Sequence, residues 1–365
     1  MENNELVKYS GGLANRIGNL ISITNKLLAI SAPELIRFRK GEMWGFCTAD
    51  KKIVIECIYQ EIKQFSEKMA GVKKNGLWGF VNQIGNLVIP CLYNDFGNRG
   101  FSEGLAGLKF NDKWGFIDTK GENVIPMIYN ATGYFEDGLA FVRDHNYKCG
   151  YIDKTGRLII ECKYNNITHF SDCIASIYYG FIDKNGEFLF KEFFDETSPF
   201  SEGLASVKKY NKWGFINITG ELVGHYLWDY IESFSEGLAA VKNNGKWGFV
   251  DKNSNCIIPC IYEDANSFSN SLAAVRLNGK RGFIDRTGKI AIPFIYDWAY
   301  SFSEGLAAVQ KNDKWGFIND NGVLVIPLKY FGTHGFSNGL TLVKSNDIKG
   351  LWGYVNKEGV EYWED

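Results

Sequence analysis

Six lysines stand immediately before a tryptophan or its substitute: Lys113, Lys148, Lys212, Lys246, Lys280 and Lys314. Lined up by a repeating fold, they would form a basic ladder flanked by indole rings. Cation and ring together suit an anionic polymer or peptide, and Arg281 extends the series. The competing reading is that lysines at strand edges keep sheets from aggregating. Glutamates recur behind Phe-Ser at Glu67, Glu103, Glu202, Glu236 and Glu304. A carboxylate pair can cleave glycosides, but a catalytic pair must be singular, and a residue repeated in copy after copy suits turn chemistry. His145, His169, His225 and His334 share no common position. There is no HExxH, phosphate loop or nucleophile elbow. The "DKTG" strings lack the density of oxygen ligands that a calcium loop needs. No enzyme, cofactor or metal is expected.

The elements that would position these side chains come from an internal period. Gly45, Gly79, Gly115, Gly150, Gly180, Gly214, Gly248, Gly282, Gly316 and Gly353 mark ten copies, and seven of their nine spacings lie between 34 and 36 residues. Each copy reads as three strands: an apolar run such as "GLAAV", the "WGFVD" run, and a run such as "CIIPCIY". Asn-Gly in the first turn is a hairpin signal, and Asp or Asn at the end of the second run suits an Asx turn. Side chains alternate across a strand. The slot of Trp44, Trp78, Trp114, Trp213, Trp247, Trp315 and Trp352 therefore shares a face with the aromatic two residues on. The glycine faces the other way, where it allows close backbone approach or a bulge. Arg281 in the Trp slot implies a half-exposed edge. The expected architecture is an open, curved all-β array at residues 35–365, each unit packing on its neighbours. A closed propeller-like toroid is the alternative.

Composition narrows the function. Lys plus Arg number 40 against 42 acids, a net charge of −2, so no global pull toward nucleic acid or anionic membrane is expected. No nucleic-acid motif is present. The start lacks a secretory pattern, and no apolar run is long enough to span a bilayer. Cys57, Cys91, Cys162 and Cys260 share one slot with Met127, Phe294 and Leu328, as compact core side chains would. Reduced thiols and a cytoplasmic location are expected.

The copies, of the form Lys-Trp-Gly-Phe-Ile-Asp followed by Ile-Pro and Phe-Ser-Glu-Gly-Leu-Ala, resemble the WG-repeat (KWG) family over residues 35–365. The resemblance implies a structural or interaction module without a shared catalytic set. Residues 188–194 and 222–228 depart from the pattern, so regularity is expected to falter around 176–230. Residues 1–34 stand outside the repeat. Over about 13–30, Leu13, Ile17, Leu20, Ile21, Thr24, Leu27 and Leu28 fall at helical spacing. Arg16 and Lys26 lie off that stripe, while "LISIT" (20–24) also reads as a strand. Such a helix would cap the array, dock a partner, or rest on a membrane surface. The function expected is a non-catalytic scaffold for a protein or peptide partner. The alternative is lectin-like binding of glycan or another anionic polymer.

Overall fold

The computed structural model describes residues 34–171, 173–345 and 350–365. The expected helix at about 13–30, with Arg16 and Lys26, lies outside them. Every element among the described residues is a strand, and none is a helix. Units are numbered 1 to 10 by their glycines, from Gly45 to Gly353.

A regular unit has four antiparallel strands, not the expected three. Unit 9 is typical, with Trp298–Ala299, Ala307–Lys311, Lys314–Ile318 and Leu324–Tyr330. Its extra strand comes from the link between the third-strand aromatic of one copy and the Phe-Ser of the next. It holds two residues, pairing Trp298 with Gln310 and Ala299 with Val309. Unit 5 keeps only the hairpin Ala175–Ile177 and Gly180–Ile182 as named strands. The sequence departures fall in and beside this unit.

The glycine's role is close approach. A β-carbon at Gly115, Gly282 or Gly316 would stand 2.5–2.6 Å from the carbonyl oxygen of Ile125, Ile292 or Ile326 in the fourth strand. The register shifts there, as at a bulge. At Gly180 the nearest atom would be 3.6 Å away, in keeping with that unit's missing fourth strand.

The fourth strand is each sheet's outer edge, and its middle residue is exposed: Pro90, Pro126, Pro259, Pro293 and Pro327. Units 1 and 4 place Glu56 and Glu161 there. Proline lacks the N–H that another strand would pair with, and charge resists burial, so both blunt an exposed edge.

Units pack face to face. In the seam between units 8 and 9, Ala274, Phe283, Ile292 and Tyr296 meet Ala299, Phe302, Val309 and Ile318. In units 1 to 9 the aromatic after the WG glycine lies beside a Phe of the next unit, usually that of its Phe-Ser. Phe249 and Phe268 are 4.8 Å apart by ring centroid, Phe283 and Phe302 5.0 Å, Phe317 and Phe336 4.9 Å. Such tilted pairs add about 0.5–1.5 kcal/mol beyond the area they bury. No sheet closes on itself into a barrel. The ends of the array nevertheless meet, against the expectation of an open curve. Strand Glu361–Glu364 pairs in parallel with Ile36–Lys40 through Arg39–Trp363 and Lys40–Glu364, joining units 1 and 10 in one seven-stranded sheet. Phe38 and Cys47 pack there against Tyr362, Tyr354 and Leu340. The ten units thus form a ring with ten seams.

Candidate interaction surface

Four of the six lysines of the expected basic ladder are bonded to a neighbouring side chain. Lys212 lies 2.6 Å from Asp229 and Lys280 2.5 Å from Asp297. Lys113 and Lys148 donate to Asn130 and Asn165 at 2.7 and 2.5 Å. Lys314 sits 3.3 Å over the Phe331 ring, and Lys246 is exposed. In all four bonded pairs the acceptor stands 17 residues on, just after the fourth-strand aromatic.

The Trp slot, expected to be half-exposed, is sealed in six units and partly or fully open in the other four, Tyr179 among them. Trp78, Trp213, Trp247 and Trp315 are 4–9% exposed; Trp44 and Trp114 are partly buried, and Trp352 is open. Trp78 and Phe80 both touch Phe96, so the two slots do share a face. The cations over the Trp rings come from the strand alongside: Lys73, Lys208 and Lys242 lie 5.5–5.9 Å from the rings of Trp78, Trp213 and Trp247. Arg281 is 2% exposed, which corrects its assignment to a binding surface. It is paired with Asp264, donates to Asn266 and Ala299 at 3.0 and 3.2 Å, and lies 4.2 Å over Trp298. A buried cation is tolerated when it is paired and bonded in this way, even with its Nε–H left without an acceptor.

The recurring glutamates are staples between units. Glu103, Glu202, Glu236 and Glu304 have φ of 52–53°, and each carboxylate accepts an N–H from the next unit's turn. Their serine neighbours bond forward as well, Ser235 to the Phe268 carbonyl at 2.8 Å and Ser303 to Phe336 at 2.6 Å. The bond from Lys154, together with the Gly138 N–H and against some burial, holds the Glu103 carboxyl below its usual range. Asp153 and Asp285 spend one oxygen on the N–H groups two and four residues on, as Asx turns do. Among the described residues no cluster of three His, Cys, Asp or Glu could hold a metal ion.

Two surfaces remain, and sequence reasoning had named neither. One is an outer rim, where the residue before the fourth-strand aromatic is an exposed hydrophobe: Ile58, Leu92, Ile128, Leu227, Ile261 and Ile295, 44–57% exposed. The other lies at unit 1. Here a cavity of about 550 Å³ is lined by Arg37, Lys63 and Arg99 with Gln64, Phe65, Gly100, Ser337 and Asn338, drawn from units 1, 2, 3 and 10. Its charged side chains are all cations. Arg37 lies 3.9 Å over the Tyr354 ring, and Arg99 lies 4.1 Å over Tyr134, which stacks on His169.

A ring of stacked β-sheets joined by side-chain seams defines a repeat-built all-β protein. The family described as "WG containing repeat" matches nine successive stretches between residues 44 and 347. The chain belongs to the WG-repeat family. No curated protein matches it in sequence. A crystal structure of a eukaryotic initiation factor is similar in fold, with a TM-score of 0.52 at 10% identity, covering 90% of this chain and 95% of that one. BamB from Moraxella catarrhalis matches with a TM-score of 0.37 at 10% identity, covering 80% of this chain and 92% of that one. Among the described residues no helix is long and apolar enough to cross a membrane.

Proposed function

We propose that the ring is a non-catalytic scaffold that binds a protein or peptide partner in the cytoplasm. The observation that carries this reading is the rim: one exposed apolar side chain recurs at the same slot in six units. Five of the six stand on an edge that proline or glutamate keeps from strand pairing, the exception being Leu227 on Leu222–Trp228. Side-chain docking without edge-to-edge association is what such a rim favours. Eight free cysteines fit a reducing compartment. Replacing Ile261 and Ile295 together by lysine tests the reading, with cross-linking and affinity capture from the source cells as the measurement. Partners should be lost while the melting temperature stays within a few degrees. Unchanged capture would refute the rim as the docking surface.

Lectin-like binding of glycan or another anionic polymer is the second reading. Trp298, Tyr230 and Tyr300, 39–45% exposed, are the rings that favour it. Saccharide titration followed by Trp fluorescence tests it, and no change for the Trp298→Ala pair of proteins would end it.

A further inference from the structure

In four units the residue just after the first strand's pair meets the Trp slot of its own unit. Lys63 lies 5.8 Å from the Trp78 ring, and Asn266 accepts from Arg281 at 3.0 Å. Tyr300 stacks on Trp315 at 5.1 Å, and His334 lies 5.4 Å from Trp352. Glu232 holds that place in unit 7. Its N–H donates to Ala240, as those of Asn266, Tyr300 and His334 do to Ala274, Ala308 and Leu342. All four strands of this unit are described. The electron-rich face of an indole repels a carboxylate, so Glu232 makes no such contact. Among the described residues no hydrogen bond or ion pair reaches its half-buried carboxylate. Beside it a cavity of about 570 Å³ is lined also by Tyr230, Trp247, Lys242 and Asp229.

The other groups of the lining do not supply what Glu232 lacks. Asp229 is engaged by Lys212 at 2.6 Å and by the Asn244 N–H at 2.7 Å. Lys242 lies 5.7 Å from the Trp247 ring and forms no ion pair with Glu232. Its counterparts Lys73 and Lys208 bond to Glu61 and Glu196 at 2.5 and 2.6 Å, but Tyr230 stands in that first-strand place in unit 7. Tyr230, 45% exposed, meets Trp213 and Trp247 edge-on at 6.2 and 5.7 Å. Burial, and after it the charge of Asp264, push the Glu232 carboxyl above its usual range. A cation between carboxylate and rings would complete the pocket.

We propose that this pocket receives an arginine side chain of a partner peptide, its guanidinium held between the Glu232 carboxylate and the rings of Trp247 and Tyr230. The inference rests on the scaffold reading and names one side chain that the partner carries. Unit 2 provides the internal precedent. There Trp78 has two cations about it, Lys63 at 5.8 Å and Lys73 at 5.5 Å, so an indole in this slot accepts a second cation beside the strand lysine. In unit 7 the chain supplies only Lys242, and the place of Lys63 carries the opposite charge. Arginine fits better than lysine because its flat guanidinium stacks on a ring while its N–H fork meets a carboxylate. Tyr230, unlike the sealed Trp247, offers a ring that an incoming group reaches from solvent.

The probe is an acetylated, amidated pentapeptide with one arginine between glycine pairs, compared with the same peptide carrying citrulline, which keeps the shape and loses the charge. Titrated into the full-length chain, the arginine peptide should shift the Trp247 indole N–H resonance saturably, with that signal assigned through Trp247→Phe. Citrulline should bind at least about tenfold more weakly, the loss of a hydrogen bond to a charged group. Glu232→Gln should weaken the arginine peptide comparably, and Lys242→Met, which removes a repelling charge, should tighten it. Acid should release the peptide from the wild-type chain as Glu232 takes up its proton, and should have no such effect on Glu232→Gln. Absence of a saturable shift, or equal binding of the citrulline peptide, would overturn the proposal. So would a shift produced by N-acetylglucosamine and not by the arginine peptide, which would give the pocket to the second reading. The citrulline comparison leaves the protein's folding untouched. Partner capture that depends on Ile261 and Ile295 would survive failure here, so the two readings fail separately.

Discussion

The seam between units 8 and 9 and the seam between units 10 and 1 solve the same problem by different means. The first is a ring pair, Phe283 on Phe302, within a cluster of fully buried apolar side chains. The second has three fully buried members, Phe38, Cys47 and Tyr362, and relies on a polar clamp. Arg39, 2% exposed, donates to the Asp365 carboxylate at 2.7 Å and to the carbonyls of Trp352 and Gly41 at 2.9 and 2.5 Å. Apolar packing makes nine seams alike, whereas charge and geometry at the tenth confine pairing to one register. A guanidinium with three fixed acceptors tolerates slippage less well than a greasy face does.

Truncation should show the contrast most strongly. Phe283→Ala is expected to cost about 3–5 kcal/mol, the toll of emptying a sealed aromatic site. Tyr354→Ala, whose ring is only partly buried, should cost about 1 kcal/mol. Urea midpoints of the two variants measure the difference, and equal losses would mean that the tenth seam packs like the rest.

Next in size is the clamp. Arg39→Met keeps much of the volume and removes the charge-assisted bonds, for a loss of about 2 kcal/mol. The opening should be local. Amide exchange should quicken at Ile36–Lys40 and Trp352–Asn356 and hold steady at Leu272–Leu277, where no clamp exists.

The smallest effect is on pH. Glu103 has a depressed carboxyl in the folded ring, so its stabilisation is complete above the ordinary carboxylate range and fades as pH falls through the folded value. At the tenth seam the equivalent turn carries Asn338, which does not titrate. Acid should therefore loosen exchange at the seam between units 3 and 4. Glu103→Gln should remove that acid dependence, as read by exchange at pH 4 and pH 7.

Much of the unit was legible in the sequence because it rests on local rules. The WG glycine implied close approach, alternation put Trp78 and Phe80 on one face, and the Asp153 type of residue signalled its turn. The first strand was hidden because two paired residues such as Trp298 and Ala299 carry no periodicity to read. Ring closure was hidden for a different reason. It depends on accumulated twist over ten units and on a contact between Arg39 and Asp365 at opposite ends of the chain. The pairing along the ladder was half-readable: the constant interval from Lys212 to Asp229 and from Lys280 to Asp297 sat in plain view. Only the folded register shows that it joins neighbouring strands. Arg281 taught the same lesson, since its partner Asp264 lies 17 residues upstream in the first strand.

The prolines at Pro259, Pro293 and Pro327 bear on how the chain comes into being. During synthesis each sheet is finished long before the last one exists to complete the circle. A nascent array on a ribosome crowded by its siblings would otherwise offer a fresh template with every copy made. With a residue that cannot donate at the centre of five of these margins and a glutamate at two more, half-built molecules stay apart until their own tail arrives.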